Sequence, residues 1–430
     1  MFQTIRNALA IPETRKKLLY TLLIIVIFRI GSAIPVPFLD PSALKAMIES
    51  GGDFLGYLDV MTGGAFASAT LFAMSITPYI NASIIIQLLT VAIPPLERLS
   101  KEGEEGRKKI AKITRYTTFG LALLQGIAYY FLARNSGAIS DTYMAGKTGF
   151  FVACVIVVTF VAGTAVIVWL GERINEKGIG NGISIILFAG IISRGPNMID
   201  TLISYWNMNN PLYYVLIPLI AVIFVLIIAF IVLMTNAERR IPVQYAKRVV
   251  GRKMYGGQNS HIPIKVSMSG VMPIIFASSF VSIPGTIAAF FQPAEGSFWR
   301  GFLDIFNYTS IWYGIIYFVL IIGFNYFYVA IQYNPIEIAN NLRKNSGAIP
   351  GIRPGKPTSD FISKVLSKIT FVGAIFLGII AIFPIIFTNV SGINIAIGGT
   401  SILIVVGVAL ETMRTLESQI TMRHHKGFLE

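Results

Sequence analysis

Charged residues divide the chain into a series of long uncharged stretches. A membrane-spanning helix needs about 20 predominantly apolar residues, and the stretches without Asp, Glu, Lys or Arg approach or exceed that length repeatedly. The first span continues past the single Arg29, and the last stretch holds two spans because residues 388–394 form a polar turn. The pattern predicts ten membrane-spanning helices, near residues 18–36, 74–93, 114–133, 150–171, 181–195, 213–234, 268–291, 311–332, 369–388 and 393–413.

Composition agrees with a membrane protein and excludes an ordinary soluble one. Hydrophobic residues make up 54% of the chain and charged residues 13%, which is roughly half the usual charged share of a soluble domain. Cys154 is the only cysteine, so an intrachain disulfide framework is excluded. The predicted fold class is therefore an all-α polytopic membrane protein.

The basic residues predict the orientation of the spans. With a cytoplasmic N-terminus, ten spans place 29 of the 35 Lys and Arg residues on the cytoplasmic side and 5 in the outer loops. Such a bias in short loops sets topology, and the basic side stays in the cytoplasm. Both termini are therefore expected to be cytoplasmic, with net charges of +16 inside and −3 outside.

The ten spans divide into two five-helix halves, residues 1–195 and 196–413, followed by a cytoplasmic tail over 414–430. A short match supports an internal repeat, because Pro78-Tyr-Ile-Asn-Ala-Ser83 in the second span resembles Pro273-Ile-Ile-Phe-Ala-Ser278 in the seventh. Two halves of five spans are inverted relative to each other, and proline-interrupted helices at corresponding places indicate a central pathway. Chance similarity between two apolar segments remains the alternative.

A stretch of small residues precedes the second span. Asp59–Thr70 is rich in Gly and Ala and is too short to cross a bilayer alone. Irregular backbone at membrane depth is tolerated inside protein or beside a water-filled cavity. A re-entrant segment in the mouth of a channel and a loop outside the membrane are both compatible with this pattern.

The sequence offers no catalytic, cofactor-binding or metal-binding constellation. His261, His424 and His425 lack the spacing of metal ligands to Cys or carboxylates. The predicted spans contain no Asp or Glu apart from Glu411 at the end of the last, whereas ion-coupled transporters usually carry carboxylates at depth. We expect a passive conduit that is not an enzyme; a secondary transporter for a small solute and a membrane scaffold are the alternatives.

Two cytoplasmic loops are larger than topology alone requires. Residues 235–267 and 333–368 combine Lys and Arg with Pro, Gly, Tyr and apolar positions. This mixture is typical of ordered docking surfaces, and the basic residues suit contacts to phosphates of RNA. We predict that both loops bind a partner.

Four motifs together resemble the SecY/Sec61-alpha family of protein-conducting channels. They are TPYINASIIIQ at 77–87, GIGNGIS at 178–184, GAIPGIRPG at 347–355 and GGTS at 398–401. The resemblance runs from the N-terminus to the tail and implies two five-helix halves around a central pore. It also implies a bacterial plasma membrane, a stable SecE subunit, a SecG subunit, the SecA motor ATPase, the ribosome, signal peptides and nascent chains as partners, and no cofactor.

The same resemblance implies roles for residues at matching positions. A pore ring would consist of Ile76, Ile80, Leu187, Ile191, Ile275 and Ile404, and a plug over 58–70 would include Asp59, Thr62, Gly63, Gly64, Ala65 and Phe66. A lateral gate would use Asn81, Ser83, Gln87, Gln125 and Ser279. Docking of SecA or the ribosome would use Arg239, Arg240, Lys247, Arg248, Arg252, Lys253 and Arg353.

Overall fold

The structure is a computed structural model of the chain. It describes residues 6, 8–50, 59, 62–140, 146–208, 211–245, 248–250, 253–255, 259–290, 298–306, 310–391 and 399–426. Within these residues most of the chain is helical, as the sequence predicts.

Helices occur at all ten predicted spans. They are α1 (Pro12–Gly31), α3 (Thr77–Ala92), α5 (Glu104–Asn135), α6 (Gly146–Lys177), α7 (Gly182–Ile192), α9 (Pro211–Asn236), α10 (Met272–Phe290), α12 (Ile311–Gln332), α14 (Lys356–Ser391) and α15 (Gly399–Lys426). Shorter helices lie in the connections: α2 (Pro41–Ser50), α4 (Pro94–Lys101), α8 (Gly195–Trp206), α11 (Phe298–Ile305) and α13 (Pro335–Lys344).

Five of the described helical segments are long and apolar enough to cross a membrane by length and composition. A sixth arises if α3 and α4, which meet at a bend of 102°, are counted as one broken span. Only 11% of the most apolar stretch of α9 is buried, against 50% in α14. The protein is therefore a multi-pass membrane protein, and α9 presents most of its apolar surface outside the helix bundle.

The helix contacts of the first five spans recur in the last five. Helix α3 packs on α5 as α10 packs on α12, and α5 packs on α6 as α12 packs on α14. Likewise α6 contacts α7 as α14 contacts α15, and α1 contacts α7 as α9 contacts α15. This recurrence is what two five-helix halves with a common architecture produce.

The short sequence match occupies equivalent places in the two halves. Pro78 and Pro273 are each the second residue of their helix, in α3 and α10 respectively. Proline is favoured in the first helical turn because its missing N–H has no partner there in any case. Both helices therefore begin at the same point of the motif, and Ile80 and Ile275 each lie fourth in their helix.

The two basic loops form one β-structured unit, which the sequence analysis did not predict. Strand β1 (Glu238–Tyr245) pairs antiparallel with β4 (Asn259–Lys265) and, on its other edge, with β5 (Gly347–Ala348) from the second loop. Strands β2 (Arg248–Val250) and β3 (Lys253–Tyr255) form a separate hairpin. Ile241, Val243 and Ile264 on the sheet are buried against α13 and α14. Where the structure describes them, both loops are thus ordered, as predicted. They also contain strands, which the prediction did not include.

The glycine-rich motif at 178–184 makes the tight connection between α6 and α7. The Asn181 side chain accepts hydrogen bonds from the backbone N–H groups of Ile183 and Ser184, which caps the start of α7. A Cβ atom on Gly182 would collide with the backbone carbonyl of Gly171 on α6. The motif therefore fixes the start of α7 and its position against α6.

Candidate functional site

A cavity of about 930 Å³ lies between the two halves of the bundle. Its wall is built from α3, α7, α9, α10, α12, α14 and α15, and its mouth reaches Lys265 at the end of β4. We call this end of the bundle the sheet side. The opposite end, which we call the plug side, carries residues 62–76 beside the C-terminal end of α7.

The six predicted ring residues lie together in one hydrophobic cluster. Ile76, Leu187, Ile191, Ile275 and Ile404 are buried members of this cluster, and Ile80 packs against it half-buried. Ile80, Leu187, Ile275 and Ile404 also line the cavity, so they form its apolar floor. Side chains that are far apart in the sequence are thus brought together by four helices from both halves.

The chemistry of this floor suits a seal. Its side chains are aliphatic and offer no hydrogen-bond partner to water or to a hydrated ion. A narrow apolar constriction gates by losing its water, and aliphatic side chains can still move apart around a larger chain. The arrangement can therefore block ions and still open for a polypeptide.

The segment after Asp59 closes the plug side of the cluster. Residues 62–76 form consecutive turns rather than a helix. Val36 N–H donates to the Ala69 carbonyl at 2.9 Å and Leu71 N–H donates to the Ile34 carbonyl at 2.9 Å. These bonds attach the turns to the chain that follows α1, so the segment lies inside protein. The described part of the predicted plug thus has the irregular backbone expected of a re-entrant segment.

Asp59 holds this segment through two different contacts. Its Oδ1 accepts a hydrogen bond from the Ala67 N–H at 2.8 Å, and its Oδ2 forms an ion pair with Arg194, directly after α7. The Asp59 side chain is 4% exposed and that of Arg194 is 19% exposed. One carboxylate therefore fixes the fold of the plug segment and fastens it to the end of α7.

Gly63 and Phe66 provide the remaining anchors of the plug segment. Gly63 has φ of +69°, and a Cβ atom there would lie 2.7 Å from the Gly190 carbonyl oxygen, so only glycine fits. The Phe66 carbonyl accepts a hydrogen bond from the Tyr129 hydroxyl at 2.7 Å, and the two rings meet edge to face. Small residues thus allow a close approach to α7, while an aromatic pair holds the segment to α5.

We predict that Asp59→Asn weakens the closed position of the plug segment. The substitution leaves Arg194 buried without its charged partner, and breaking a buried ion pair costs about 3–5 kcal/mol. Arg194→Gln should have a similar effect, and the double variant should cost less than the two single variants added together. Thermal unfolding of the purified protein and limited proteolysis at the plug segment would measure this. Strict additivity of the two substitutions would contradict the assigned pair.

The predicted gate residues are divided between two places. Ser83 and Gln87 line the cavity on α3. Asn81, Gln125 and Ser279 are half-buried on α3, α5 and α10 respectively. Since α10 contacts both α3 and α5 across the two halves, all five lie on the helices that border this gap. Their role in opening it stays a prediction.

A buried polar network near this gap was missed from the sequence. Asn325 on α12 is 2% exposed; its side-chain oxygen accepts from Ser269 Oγ, and its amide donates to the Thr370 carbonyl on α14 at 2.8 Å. Buried amides are stable only when hydrogen-bonded. The network ties the residues before α10 to α12 and α14. The sequence signal for this network was a single Asn within an otherwise apolar span, because such residues often form hydrogen bonds between helices.

The docking candidates lie on and around the β sheet. Arg239 and Arg240 on β1 are exposed, and Arg240 pairs with Glu238 at 2.7 Å. Arg248 and Lys253 belong to β2 and β3, while Lys247 and Arg252 lie outside the described residues. Arg353 is exposed in a turn flanked by Gly351 and Gly355, both with positive φ, and its carbonyl accepts from Thr358 Oγ1 at 2.8 Å.

Charged residues line the mouth of the cavity, and of these only Glu411 was noted from the sequence. Arg414 on α15 donates to the Thr235 carbonyl at 3.2 Å and to the Asn236 side chain at 2.6 Å. Burial lowers the pKa of Lys265, and the nearby Arg414 guanidinium lowers it further. Glu411 also lines the cavity. The mouth therefore carries both signs of charge, in contrast to the apolar floor.

Comparisons with known proteins agree with this site. The SecY family model matches residues 70–413. Relatives described as protein translocase subunit SecY include those of Streptomyces scabiei (42% identical, covering 100% of both chains) and Thermotoga maritima (43% identical, covering 100% of this chain and 98% of the relative). The relative from Bacillus subtilis is 42% identical and covers 100% of both chains.

Solved structures show the same fold at lower identity. A structure described as a protein conducting channel has a TM-score of 0.66 at 18% identity, covering 94% of this chain and 92% of that one. Sec61 in a canine ribosome–channel complex has a TM-score of 0.62 at 17% identity, with the same coverage. At this level of identity, both similarities show a shared fold only.

A multi-pass helical bundle whose two halves meet at an aliphatic cluster is the architecture that this chain shares with the solved protein-conducting channels. The chain belongs to the SecY family of protein translocase subunits. It is therefore a channel subunit of the Sec translocon and not an enzyme, which confirms the class expected from its sequence motifs.

Proposed function

We propose that unfolded secretory polypeptides pass from the cavity on the sheet side, through the aliphatic floor, to the plug side. The convergence of six aliphatic side chains from both halves in one cluster, four of which form the floor of the cavity, is the observation that carries this proposal. The ring keeps ions out when the channel is idle, and the segment over 58–70 is the plug that leaves when a chain enters. The driving force comes from a partner on the sheet side.

Membrane segments leave sideways through the gap between the α3–α5 pair and the α10–α12 pair. Contacts of α10 with α3 and α5 support this location, because the two halves meet there as well as at the contact between α7 and α15. Asn81, Ser83, Gln87, Gln125 and Ser279 hold the gap closed by modest polar contacts. An apolar segment then partitions into lipid because its surface is more favourable there than in the cavity.

The sheet side is cytoplasmic in this proposal, in the plasma membrane of a bacterium, with both termini on that side. The excess of Lys and Arg there supports the orientation. SecA and the translating ribosome dock on Arg353 and on the basic residues of the β1–β4 unit. SecE is a stable subunit of the complex and SecG a further one; signal peptides and nascent chains are its substrates.

Reconstitution tests the proposed path directly. The purified chain with SecE in phospholipid vesicles should import a secretory precursor when SecA and ATP are added, and should not import it without ATP. Protection of the precursor from added protease measures the import. A folded, disulfide-stabilised precursor is the matched control and should stall. Equal import of the folded and unfolded precursors, or none of either in vesicles that contain the assembled complex, would refute the proposal.

A further inference from the structure

Helix α11 (Phe298–Ile305) connects two membrane spans on the plug side of the bundle. Helix α10 begins after β4 on the sheet side and α12 ends before α13 on the sheet side, so α11 joins their opposite ends. Helices α10 and α12 contain 19 and 22 residues, and about 20 residues are enough to cross a bilayer. Pro293 and Glu295 separate α11 from α10 in the sequence. Helix α11 is therefore an element of its own that neither span needs in order to cross the membrane.

A row of aromatic side chains fixes α11 to the bundle. Phe298, Phe302 and Phe306 follow each other at intervals of four residues, which places them along one side of the helix. Phe306 packs half-buried against the hydrophobic cluster that α10, α12 and α14 share. The Phe302 ring lies 5.3 Å from that of Phe306 and 6.4 Å from that of Trp299, and Phe298 lies 6.2 Å from Trp299. The row thus begins in the core and continues outwards.

The outer part of this row is exposed. Phe298, Trp299 and Phe302 are 82%, 65% and 41% exposed, and we call these three side chains the aromatic edge of α11. Water disfavours apolar surface in proportion to its area. A contiguous apolar patch on a protein surface therefore indicates a site of interaction.

The neighbouring surface identifies the lipid bilayer as the partner of the aromatic edge. Ile311, Trp312 and Ile315 at the start of α12 are 78%, 63% and 49% exposed. The apolar segment that begins there is a candidate membrane span, and only 28% of its most apolar stretch is buried. Its exposed side chains therefore face acyl chains. The aromatic edge lies at the end of this span, and Trp is enriched at that level of a membrane because its ring is amphipathic.

Charged residues in α11 limit how deep the helix can lie. The helix contains Arg300 and Asp304, and charged side chains are disfavoured at the centre of a bilayer. The boundary between headgroups and acyl chains accommodates both these residues and the aromatic edge. One basic and one acidic residue cancel in formal charge, so binding to this boundary does not require anionic lipid.

We propose that α11 is an interfacial helix whose aromatic edge inserts about 5–10 Å into the headgroup–acyl boundary of the phospholipid leaflet on the plug side. Because α11 joins the end of α10 to the start of α12, the insertion holds the plug-side ends of both helices at a fixed membrane depth. The inference rests on the protein spanning a membrane and is independent of what passes through the channel.

Tryptophan fluorescence tests the depth of the aromatic edge. Replacing Trp169, Trp206 and Trp312 with Phe leaves Trp299 as the only tryptophan of the chain. This variant is reconstituted with tryptophan-free SecE in phosphatidylcholine vesicles whose acyl chains carry bromine near the headgroup or near the methyl end, with iodide on both sides. Bromine near the headgroup should quench Trp299 roughly twofold more strongly than bromine near the methyl end. Iodide should quench it weakly.

Two matched reporters calibrate this measurement in the same background with Trp299→Phe. Asn345→Trp, at an exposed position beside β5, should be quenched by iodide. Val222→Trp, at an exposed position near the middle of α9, should be quenched most by bromine near the methyl end. If iodide quenches Trp299 as strongly as the first reporter, α11 lies in water and the proposal is wrong. Quenching like that of the second reporter, or no quenching from either side because protein covers the edge, equally overturns it.

A pair of substitutions tests whether the edge itself holds α11 in the boundary. Phe298→Ser with Phe302→Ser removes two of the three inserted side chains and should raise iodide quenching of Trp299 at least about twofold. Phe150→Ser with Phe151→Ser is the matched control, because it alters two exposed aromatic side chains at the start of α6, and it should leave Trp299 unchanged. Unchanged quenching in the first pair would contradict the proposal. Precursor import by the same vesicles reports separately on channel function.

Discussion

Replacing Ile404 with Asn is expected to turn the closed constriction into an ion leak. Ile404 is 1% exposed within the aliphatic cluster, and an unsatisfied amide buried there costs about 1–3 kcal/mol. Because about 1.4 kcal/mol changes an equilibrium constant tenfold, the equilibrium between the closed and the open channel should shift roughly tenfold to hundredfold towards the open state. Water bound to the amide also removes the apolar barrier to ions. Conductance of the variant in planar bilayers, without a precursor, measures the leak.

Two controls separate the seal from general stability. Ile404→Leu keeps an aliphatic side chain and should stay tight. Ile156→Asn alters an equally buried residue of α6 in a different hydrophobic cluster, and it should lower thermal stability without raising conductance in the folded fraction. Ile275→Asn should behave like Ile404→Asn. Unchanged conductance in both Ile404→Asn and Ile275→Asn would contradict the assignment of these residues to the pore ring.

Replacing Arg353 with Glu is expected to abolish SecA-driven import while leaving the folded protein intact. The side chain is exposed, and the surrounding turn is fixed by backbone contacts that do not involve the guanidinium group. Loss of a hot-spot residue, which is the role proposed for Arg353, costs at least about 2 kcal/mol, and reversal of charge adds repulsion. Import should therefore fall by a factor of about 30 or more. Rates of ATP-dependent import and the affinity of SecA for reconstituted vesicles measure this change.

Lys344→Glu is the matched control for this prediction. Lys344 is exposed in the same loop, at the end of α13, and the substitution changes the net charge by the same amount. It should lower import only slightly, because an exposed charge far from a specific contact is largely screened by salt. Equal loss in both variants would indicate a general electrostatic effect and contradict a specific role of Arg353.

The position of each helix was predictable because the cost of burying charge in lipid acts locally along the chain. Uncharged stretches therefore located the ten helices, and the short match around Pro78 and Pro273 marked equivalent places in the two halves, although the structure puts both prolines at helix starts and not within the helices. The predicted span near 181–195 likewise located α7. The ring residues were identified by resemblance to a family, since isolated Ile residues in apolar helices carry no pattern of their own.

Other features depend on contacts between distant parts of the chain. The pairing of β1 with β5 joins loops about a hundred residues apart, and short strands within basic loops have no distinctive periodicity. The partner of Asp59 is Arg194, and the partners of Asn325 are on other elements. A sequence shows that a polar group is buried in an apolar context, but it does not show which neighbour satisfies it.

The membrane class of the protein, the positions of its helices and the family to which it belongs could all be predicted from the amino-acid sequence. These properties follow from composition, spacing and motifs along the chain. The folded chain was needed to show that six aliphatic side chains share one cluster, that one carboxylate links the plug segment to the end of α7, and that strands from both basic loops pair in one sheet. Those properties depend on which side chains meet in space, and helix packing between the two halves decides that.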